Sequence, residues 1–320
     1  MSLVRSSFGP ALALLFNAAV WGLSWWPMRA LLDMGLHPLW ANVGLFLIGC
    51  VLIVLWRPQA LRQLREMPVL WTMALASGVV NASFNWGVSI GEVVRVVLLF
   101  YLMPVWTALL ARLWLGERLG PGVLLRVALA LAGAAIVLQP EGWAWPVPRS
   151  LADWLGVLGG FAFACNSVLV RRLAPVTSDE GRALAMLLGC VGVSGLLALA
   201  LGPLGAGAMV PWPPAPRVDW LALLVLAALL FLAGNLAYQH GASRLPANVT
   251  AVIMLTEVVF AALSSVLIAG ETLAARTLLG GALIVTAALL AALGPSRSGS
   301  GVQPSPKASR RTSASSSPSS

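Results

Sequence analysis

Long apolar runs separated by short polar stretches repeat along almost the whole chain. Several runs exceed about 18 residues, the length expected of a membrane-spanning helix, and they lack the alternation of barrel strands. We predict ten spans, at residues 11–31, 38–56, 68–88, 94–115, 121–139, 151–170, 183–202, 220–240, 246–268 and 277–294. The pattern therefore predicts an all-α integral membrane protein with ten transmembrane helices.

Two of the predicted spans resemble each other. Residues 100–117 and 254–271 align without a gap, and both end in Gly-Glu, at Glu117 and Glu271. Apolar helices match by chance at Leu, Ala and Val, so the shared Gly-Glu is the informative part. We interpret the similarity as an internal duplication.

A duplication of five spans divides the chain into halves at residues 1–147 and 148–294. Because five is odd, the second half enters the membrane in the opposite sense, which predicts two inverted five-helix repeats. Inverted repeats are a transporter architecture in which the substrate binds near the midplane between the halves. Residues 295–320 follow as a basic tail rich in Ser and Pro, and their composition predicts disorder.

The composition supports a membrane environment. Hydrophobic residues make up 59% of the chain and charged residues 10%, whereas soluble domains carry about 25% charged residues. The net charge of +9 has a topological explanation, because cytoplasmic loops of membrane proteins collect Arg and Lys. We therefore expect the lipid bilayer, and no nucleic acid, as the partner of this surface.

The basic residues also predict the orientation. If the N-terminus lies inside, most of them fall on cytoplasmic loops. The opposite face then receives Arg29, Arg95, Arg149, Arg217 and Arg276. Both termini are predicted to be cytoplasmic.

Several short motifs resemble those of a known family. They are Trp21-Gly22 followed by Arg29, Pro104, Gly116-Glu117, Phe163-Ala164 followed by Arg171, and Gly270-Glu271. In this order and spacing, residues 8–294 resemble the drug/metabolite transporter superfamily, specifically its ten-span members with two EamA domains. The resemblance implies a bacterial inner-membrane protein that exports or exchanges a small metabolite, such as an amino acid or a drug-like amphiphile, by alternating access.

Glu257 is the leading candidate for a functional residue. It lies at the middle of the ninth span, where a carboxylate costs at least ~2.5–3.5 kcal/mol on the gentler insertion scales. Such a group can bind and release a proton, or pair with an amine of the substrate. The structural alternative is a carboxylate hydrogen-bonded to neighbouring helices. We favour a function, because ionisable groups inside membranes usually have one.

Basic and acidic residues at the span ends allow two interpretations. Arg95, one turn after Glu92, and Arg29 can each recognise a substrate carboxylate or form a gate, or can extend to the lipid headgroups. Glu117 and Glu271 occupy matched positions, for which we expect a structural duty such as closing the turn into the next helix.

Polar and aromatic residues inside the spans complete the candidate site. Their side chains either line a wet cavity or hold helices together, by hydrogen bonds or by packing. They are Asn81 and Asn85 on one face of the third span, Asn166 in the sixth, Asn235 and Tyr238 on one face of the eighth, and Trp25 and Tyr101.

Two other functional classes are a membrane-embedded enzyme and a non-transporting scaffold. The two histidines, His37 and His240, are predicted on opposite faces, and no metal-ligand spacing or phosphate-binding Gly-x-x-x-x-Gly-Lys-Ser/Thr loop occurs in the sequence. We therefore expect neither an enzyme nor a cofactor or metal. The loops are too short for a recognition domain, which disfavours a scaffold. A small-molecule substrate, with a proton as a candidate coupling ion, is the expected partner, while small-residue helix faces leave the oligomeric state open.

Overall fold

A computed structural model describes residues 2–115, 120–139, 147–173, 176–202, 209–242, 244–245 and 247–293. All regular secondary structure in these ranges is helical. The helices of the first half are α1 (Ser2–Gly22), α2 (Trp25–Asp33), α3 (Pro38–Trp56), α4 (Gln59–Glu66), α5 (Leu70–Ile90), α6 (Val93–Phe100), α7 (Met103–Leu115) and α8 (Pro121–Leu138). Those of the second half are α9 (Leu151–Leu173), α10 (Asp179–Leu201), α11 (Val218–Ala242), α12 (Ala247–Met254), α13 (Thr256–Ala269) and α14 (Ala275–Leu293).

Seven helices or continuous helix pairs are long and apolar enough to cross a membrane. An eighth span results if α4 and α5, which are bent by 107°, are counted together, and two shorter apolar helices are Thr256–Ala269 and Ala275–Leu290. The prediction of an all-α, multi-pass membrane protein is thus confirmed for the described residues, which contain seven or eight candidate spans. The short helix α4 was not predicted. Its residues Ala60 and Leu64 are buried under the adjoining spans.

Two of the spans are interrupted where a proline removes a backbone donor. The chain leaves the helical geometry at residues 23–24, between α1 and α2, and again at residues 101–102, between α6 and α7. Pro27 and Pro104 follow these points, and neither can donate to the carbonyl four residues earlier. Turn hydrogen bonds bridge both points, from the N–H of Trp26 to the carbonyl oxygen of Leu23 and from the N–H of Leu102 to that of Leu99.

A third interruption, at Leu255, separates α12 from α13 without a nearby proline. Here the hydroxyl of Thr256 donates to the carbonyl oxygen of Ile253 at 2.6 Å. A side-chain hydroxyl that bonds to a nearby carbonyl competes with the helical pattern. In the ungapped alignment of residues 100–117 with 254–271, Leu255 corresponds to Tyr101, so the two interruptions occur at matched positions.

The helices pack in a pattern that links early and late parts of the chain. The main pairs are α5 with α9 and α10, α3 with α10, α1 with α11 and α13, α6 and α7 with α9, and α8 with α14. Glycines permit the closest contacts. A Cβ at Gly133 would stand 2.5 Å from the carbonyl oxygen of Gly280, and one at Gly280 would stand 2.6 Å from that of Gly133. These pairings bring α1, α6, α9 and α13 together around the interrupted spans.

Candidate functional site

Glu257 and Tyr101 meet where two interrupted spans adjoin. Glu257 is the second residue of α13 and is partly buried, and Tyr101 lies in the α6–α7 interruption and is 3% exposed. The Tyr101 hydroxyl donates to Oε2 of Glu257 at 3.3 Å. Among the residues that the structure describes, no basic side chain forms an ion pair with Glu257. The contact therefore holds a carboxylate without a neutralising cation at the junction of α6 and α13.

The first span is fixed against α13 beside this carboxylate. A Cβ at Gly22 would stand 2.8 Å from the carbonyl oxygen of Glu257 and 2.6 Å from the Cβ of Phe260, so only glycine lets the two helices come this close. One turn further, the indole Nε1 of Trp25 donates to Oγ of Ser264 at 2.9 Å, and both side chains are buried. The first of these contacts explains the need for glycine at position 22.

Aromatic rings pack around Tyr101 on its other side. Phe100 makes edge-to-face contacts with Phe84, Tyr101 and Phe163, at centroid distances of 5.0, 6.1 and 5.5 Å. Gly160 lies against the backbone of Phe100, where a side chain would not fit. Tyr101 is therefore part of a packed aromatic cluster between α5, α6 and α9, with its hydroxyl directed to Glu257.

The asparagines of the third span lie in a separate polar network. Nδ2 of Asn85 donates to Oδ1 of Asn42 at 2.7 Å, and Nδ2 of Asn42 lies 3.2 Å from the carbonyl oxygen of Asn81 and 3.3 Å from Oγ of Ser194. Asn42 and Asn85 are fully buried. These contacts join α3, α5 and α10, which favours the helix-linking interpretation of Asn85, whereas the side chain of Asn81 donates to the carbonyl oxygen of Ser77 within α5.

The remaining polar candidates separate into buried and exposed positions. Asn166 on α9 is 7% exposed, and its Oδ1 lacks a hydrogen-bond partner among the described residues. Asn235 is exposed on α11 and Tyr238 is 40% exposed. Among the contacts between described residues, neither of these two bonds to Glu257 or Tyr101. Other buried atoms without a partner in the described part of the chain are Asn17 Oδ1, Ser24 Oγ, Asn85 Oδ1, Trp106 Nε1 and Thr250 Oγ1.

Arg29 and Glu271 form an ion pair at one end of the bundle. Nη2 of Arg29 lies 2.9 Å from Oε1 of Glu271. Arg29 also donates to the carbonyl oxygens of Val88, at 3.2 Å, and Gly91, and its guanidinium lies 5.0 Å from the ring centre of Trp25. The two oxygens of Glu271 accept from the N–H of Val93 at 3.3 and 3.2 Å. The second Gly-Glu motif thus links α2, the α5–α6 turn and the C-terminal end of α13. Glu117 of the first motif lies outside the described residues.

Arg95 forms a second ion pair, with Asp153 rather than Glu92. Nε and Nη2 of Arg95 donate to the two carboxylate oxygens of Asp153 at 2.7 and 3.0 Å, and Nη1 donates to the carbonyl oxygen of Val137 at 2.7 Å. The side chain of Asp153 is 3% exposed and that of Arg95 is 23% exposed. A surface cleft of ≈ 490 Å³ opens beside them. Because these acceptors occupy its guanidinium, Arg95 is better suited to fix α6, α8 and α9 than to bind a substrate.

Asp153 was not among the candidates predicted from the sequence, although a local signal for it exists. Ser150 precedes it by three residues at the start of α9, and the N–H of Asp153 lies 3.0 Å from the Ser150 hydroxyl oxygen. Oδ2 of Asp153 accepts in return from the N–H of Ser150 at 3.4 Å. This reciprocal arrangement is that of a capping box. Asn42 was missed as well, and its signal was a lone amide within an apolar span.

The described residues contain no cluster of three or more His, Cys, Asp or Glu side chains suited to a metal ion. The geometry instead offers a carboxylate, a phenol and aromatic walls between interrupted helices. Such an arrangement can bind a proton or a cationic group by charge and can contact an organic molecule by its rings.

Comparisons with known proteins find two relatives named as transporters and a solved structure of similar fold. An uncharacterized transporter of Pseudomonas aeruginosa is 30% identical over 233 residues, covering 71% of this chain and 73% of the relative. A riboflavin transporter of Rhizobium johnstonii is 33% identical over 132 residues, covering 40% of this chain and 37% of the relative. A solved crystal structure superimposes with a TM-score of 0.54 over 88% of this chain and 96% of its own, at 18% identity, a likeness that shows the fold alone.

The model of the EamA-like transporter family matches this chain twice, at residues 9–139 and 150–293. The two matches cover most of the chain and both parts of the helical bundle. The resemblance expected from the Trp-Gly and Gly-Glu motifs is confirmed. The protein therefore belongs to the EamA-like transporters of the drug/metabolite transporter superfamily.

Proposed function

We propose that the protein is a secondary transporter that exports or exchanges a small organic metabolite across the bacterial inner membrane by alternating access. The observation that carries the proposal is the Tyr101–Glu257 contact, which joins interrupted spans of the two halves. The substrate site lies at this junction. Residues 1–147 and 148–294 act as the two inverted repeats, with ten spans and with both termini in the cytoplasm.

The pattern of helix packing supports the inverted repeats. Exchange of the halves relates α1 to α9, α3 to α10, α5 to α11, the α6–α7 pair to the α12–α13 pair, and α8 to α14. Under this exchange, the pair α1–α11 becomes α9–α5, and α3–α11 becomes α10–α5, and all four pairs are in contact. The pairs α3–α10 and α8–α14 map onto themselves, as expected for elements on a pseudo-twofold axis.

The interruptions at Tyr101 and Leu255 support the position of the site. Interrupted segments at corresponding positions of two halves are the strongest pointer to the binding site of a repeat transporter. The ends of the four short helices α6, α7, α12 and α13 supply partial charges at these interruptions. Asn166 on α9 and Thr250 on α12 add buried oxygen atoms without partners among the described residues.

Glu257 gives this site its charge. In its ionised form it attracts a cation, and in its protonated form it can donate a hydrogen bond. Proton coupling follows if the proton and a substrate amine compete for the same carboxylate. The relative named as a riboflavin transporter supports a small organic substrate for this chain, and the aromatic cluster around Tyr101 provides ring surfaces for one.

The test is untargeted mass spectrometry of medium and cell contents from cells that express wild-type protein, Glu257→Gln or an empty vector. Glu66→Gln is the matched control, because Glu66 pairs with Arg62 at an exposed position. We expect one class of metabolite to leave cells with wild-type protein and Glu66→Gln, and not cells with Glu257→Gln. Equal amounts of each protein in the membrane must be verified.

Two outcomes would contradict parts of the proposal. If Glu257→Gln exports at the wild-type rate with the same dependence on the pH gradient, Glu257 is a structural residue and proton coupling through it fails. If wild-type protein moves no solute in cells or in vesicles loaded with a metabolite extract, the transport function fails.

A further inference from the structure

The Arg29–Glu271 ion pair lies across the turn between α5 and α6. The positive charge faces the C-terminal end of α5, and the negative charge faces the N-terminal end of α6. Arg29 donates to the carbonyl oxygens of Val88 and Gly91 at the C-terminal end of α5. Glu271 accepts from the N–H of Val93, the first residue of α6. The last carbonyls of a helix carry partial negative charge and the first N–H groups partial positive charge. The pair is therefore held by charge at both ends.

The ion pair is connected to the proposed site through two short helices. Val93 is the first residue of α6, and Tyr101 follows its last residue. Because Val93, Val97 and Tyr101 are spaced four residues apart, they lie on the same face of the helix. Val93 bonds to Glu271, which follows α13, and Tyr101 bonds to Glu257, at the start of α13. Helices α6 and α13 are thus joined by one carboxylate at each end, with Val97 between them.

The packing around this ion pair breaks the symmetry of the two halves. Helix α6 packs against α13, whereas the exchanged pair, α12 and α7, has at most marginal contact within the described ranges. Helix α2 likewise packs against α5. Under the exchange, α2 corresponds to the last turns of α9 and α5 corresponds to α11, and these two have at most marginal contact within the described ranges. Within the described ranges, the helices at the end that carries Arg29 and Glu271 therefore pack more closely than the pairs related to them by the exchange.

Other contacts indicate which helices move together. Trp25–Ser264 and Arg29–Glu271 join α2 to α13. Arg95–Asp153 joins α6 to α9, and a Cβ at Gly156 would stand 3.0 Å from the carbonyl oxygen of Val96. Between these two groups, the outer hydrogen bonds of the described residues are those of Arg29 and Glu271 with the α5–α6 turn. Separation of the groups would open a path from that end to Tyr101 and Glu257.

We propose that Arg29 and Glu271 form the outer gate of the transport path, which closes when the ion pair bridges the two helix ends of the α5–α6 turn. The inference rests on the proposed transport function and on the predicted orientation, which places Arg29 on the outer face. Opening breaks the bonds to Val88, Gly91 and Val93 and leaves the ion pair itself intact. The gate differs in this way from an ion pair that opens by separating its own charges.

Labelling of a cysteine below the gate tests the proposal without any substrate. Val97 is 2% exposed, so Val97→Cys in full-length protein in intact cells should react slowly with a membrane-impermeant maleimide added from outside. Adding Glu271→Gln removes the charge that holds the N-terminal end of α6, and we expect labelling to rise at least about tenfold. Protein with its native cysteines alone gives the background rate.

Three further variants make the test specific. Asp153→Asn breaks an ion pair at the same end that does not cross the gate, and we expect it to leave the labelling of Val97→Cys low. Arg29→Lys keeps the charge, but its single amine cannot reach the carbonyl oxygens of Val88 and Gly91 and the carboxylate of Glu271 together, so labelling should rise. This variant replaces Glu271→Gln in the test if Glu271→Gln does not fold. The exchange Arg29→Glu with Glu271→Arg restores the ion pair but reverses both charges at the helix ends, so labelling should stay high.

Unchanged labelling in Glu271→Gln and Arg29→Lys would overturn the gate, as would protection restored by the charge exchange. Labelling that rises only in inside-out vesicles would overturn its outer location. The failure of the gate is distinguishable from that of the transport function. Export that persists in wild-type and Glu271→Gln cells with unchanged labelling refutes the gate alone, and absent export in all strains refutes the function.

Discussion

The hydroxyl of Tyr101 lies 3.3 Å from a carboxylate oxygen of Glu257, although the two residues are 156 positions apart in the sequence. Each stands at an interruption of an apolar span, where helical hydrogen bonding stops. The contact therefore connects α6 of the first proposed half to α13 of the second. Any movement of α6 relative to α13 changes the surroundings of Glu257.

Removal of the Tyr101 hydroxyl should weaken transport less than removal of the Glu257 charge. Tyr101→Phe deletes one hydrogen bond to a charged group and keeps the ring in its aromatic cluster, so we expect a loss of about tenfold or less in the initial export rate. Glu257→Gln should abolish export. Tyr238→Phe makes the same chemical change at an exposed position on α11. A loss in Tyr238→Phe equal to that in Tyr101→Phe would contradict the assigned site.

The bond between Trp25 and Ser264 should contribute measurably to stability. Ser264→Ala leaves the buried indole N–H without its acceptor, which costs about 1–3 kcal/mol. Ser265→Ala is the control, because Ser265 is also buried and its Oγ bonds to the carbonyl oxygen of Ala262 in its own helix. We expect thermal unfolding in detergent at a lower temperature for Ser264→Ala than for Ser265→Ala. Equal melting temperatures would show that this contact does not hold α2 to α13.

Substitution of glycine by alanine should change the stability of the protein differently at two positions of the same helix, α8. A Cβ at Gly133 meets the carbonyl oxygen of Gly280, so Gly133→Ala must push α8 and α14 apart and should cost about 1–3 kcal/mol. A Cβ at Gly122 meets nothing within 4 Å. Gly122→Ala should be neutral or slightly stabilising, because alanine has the higher helix propensity. The comparison uses melting temperatures of both variants, and destabilisation by Gly122→Ala alone would contradict it.

Acid should destabilise the protein through His37. Nδ1 of His37 accepts from the N–H of Leu39 at the start of α3, and burial lowers the pKa of His37 from 6.5 to about 4. Between these values the unfolded chain binds a proton that the folded chain does not. The free energy of unfolding therefore falls as the pH is lowered through this window.

His37→Asn isolates this contribution, because asparagine can cap α3 and does not titrate. Melting temperatures at about pH 7 and about pH 4.5 should differ less for His37→Asn than for the wild-type protein. The same pH dependence in both proteins would assign the acid sensitivity to other groups.

The class of protein and most of the apolar helices follow from the sequence alone, whereas α4 and the three interruptions were not predicted. Apolar runs long enough to cross a bilayer have few alternatives to the helix, because a backbone in lipid must satisfy its own hydrogen bonds. Glu257 was recognisable for the same reason, since a carboxylate in the middle of such a run is costly enough to require a purpose. The Trp-Gly and Gly-Glu motifs identified the family from their order and spacing.

Which polar groups meet depends on the tertiary structure. Arg29 pairs with Glu271 across 242 positions, Arg95 with Asp153 across 58, and Asn85 with Asn42 across 43. These contacts depend on how each helix is rotated about its own axis. A helix that is apolar on all sides carries almost no pattern that fixes this rotation. The partners are set by close packing at glycines and by helix ends, which arise only when distant segments fold together.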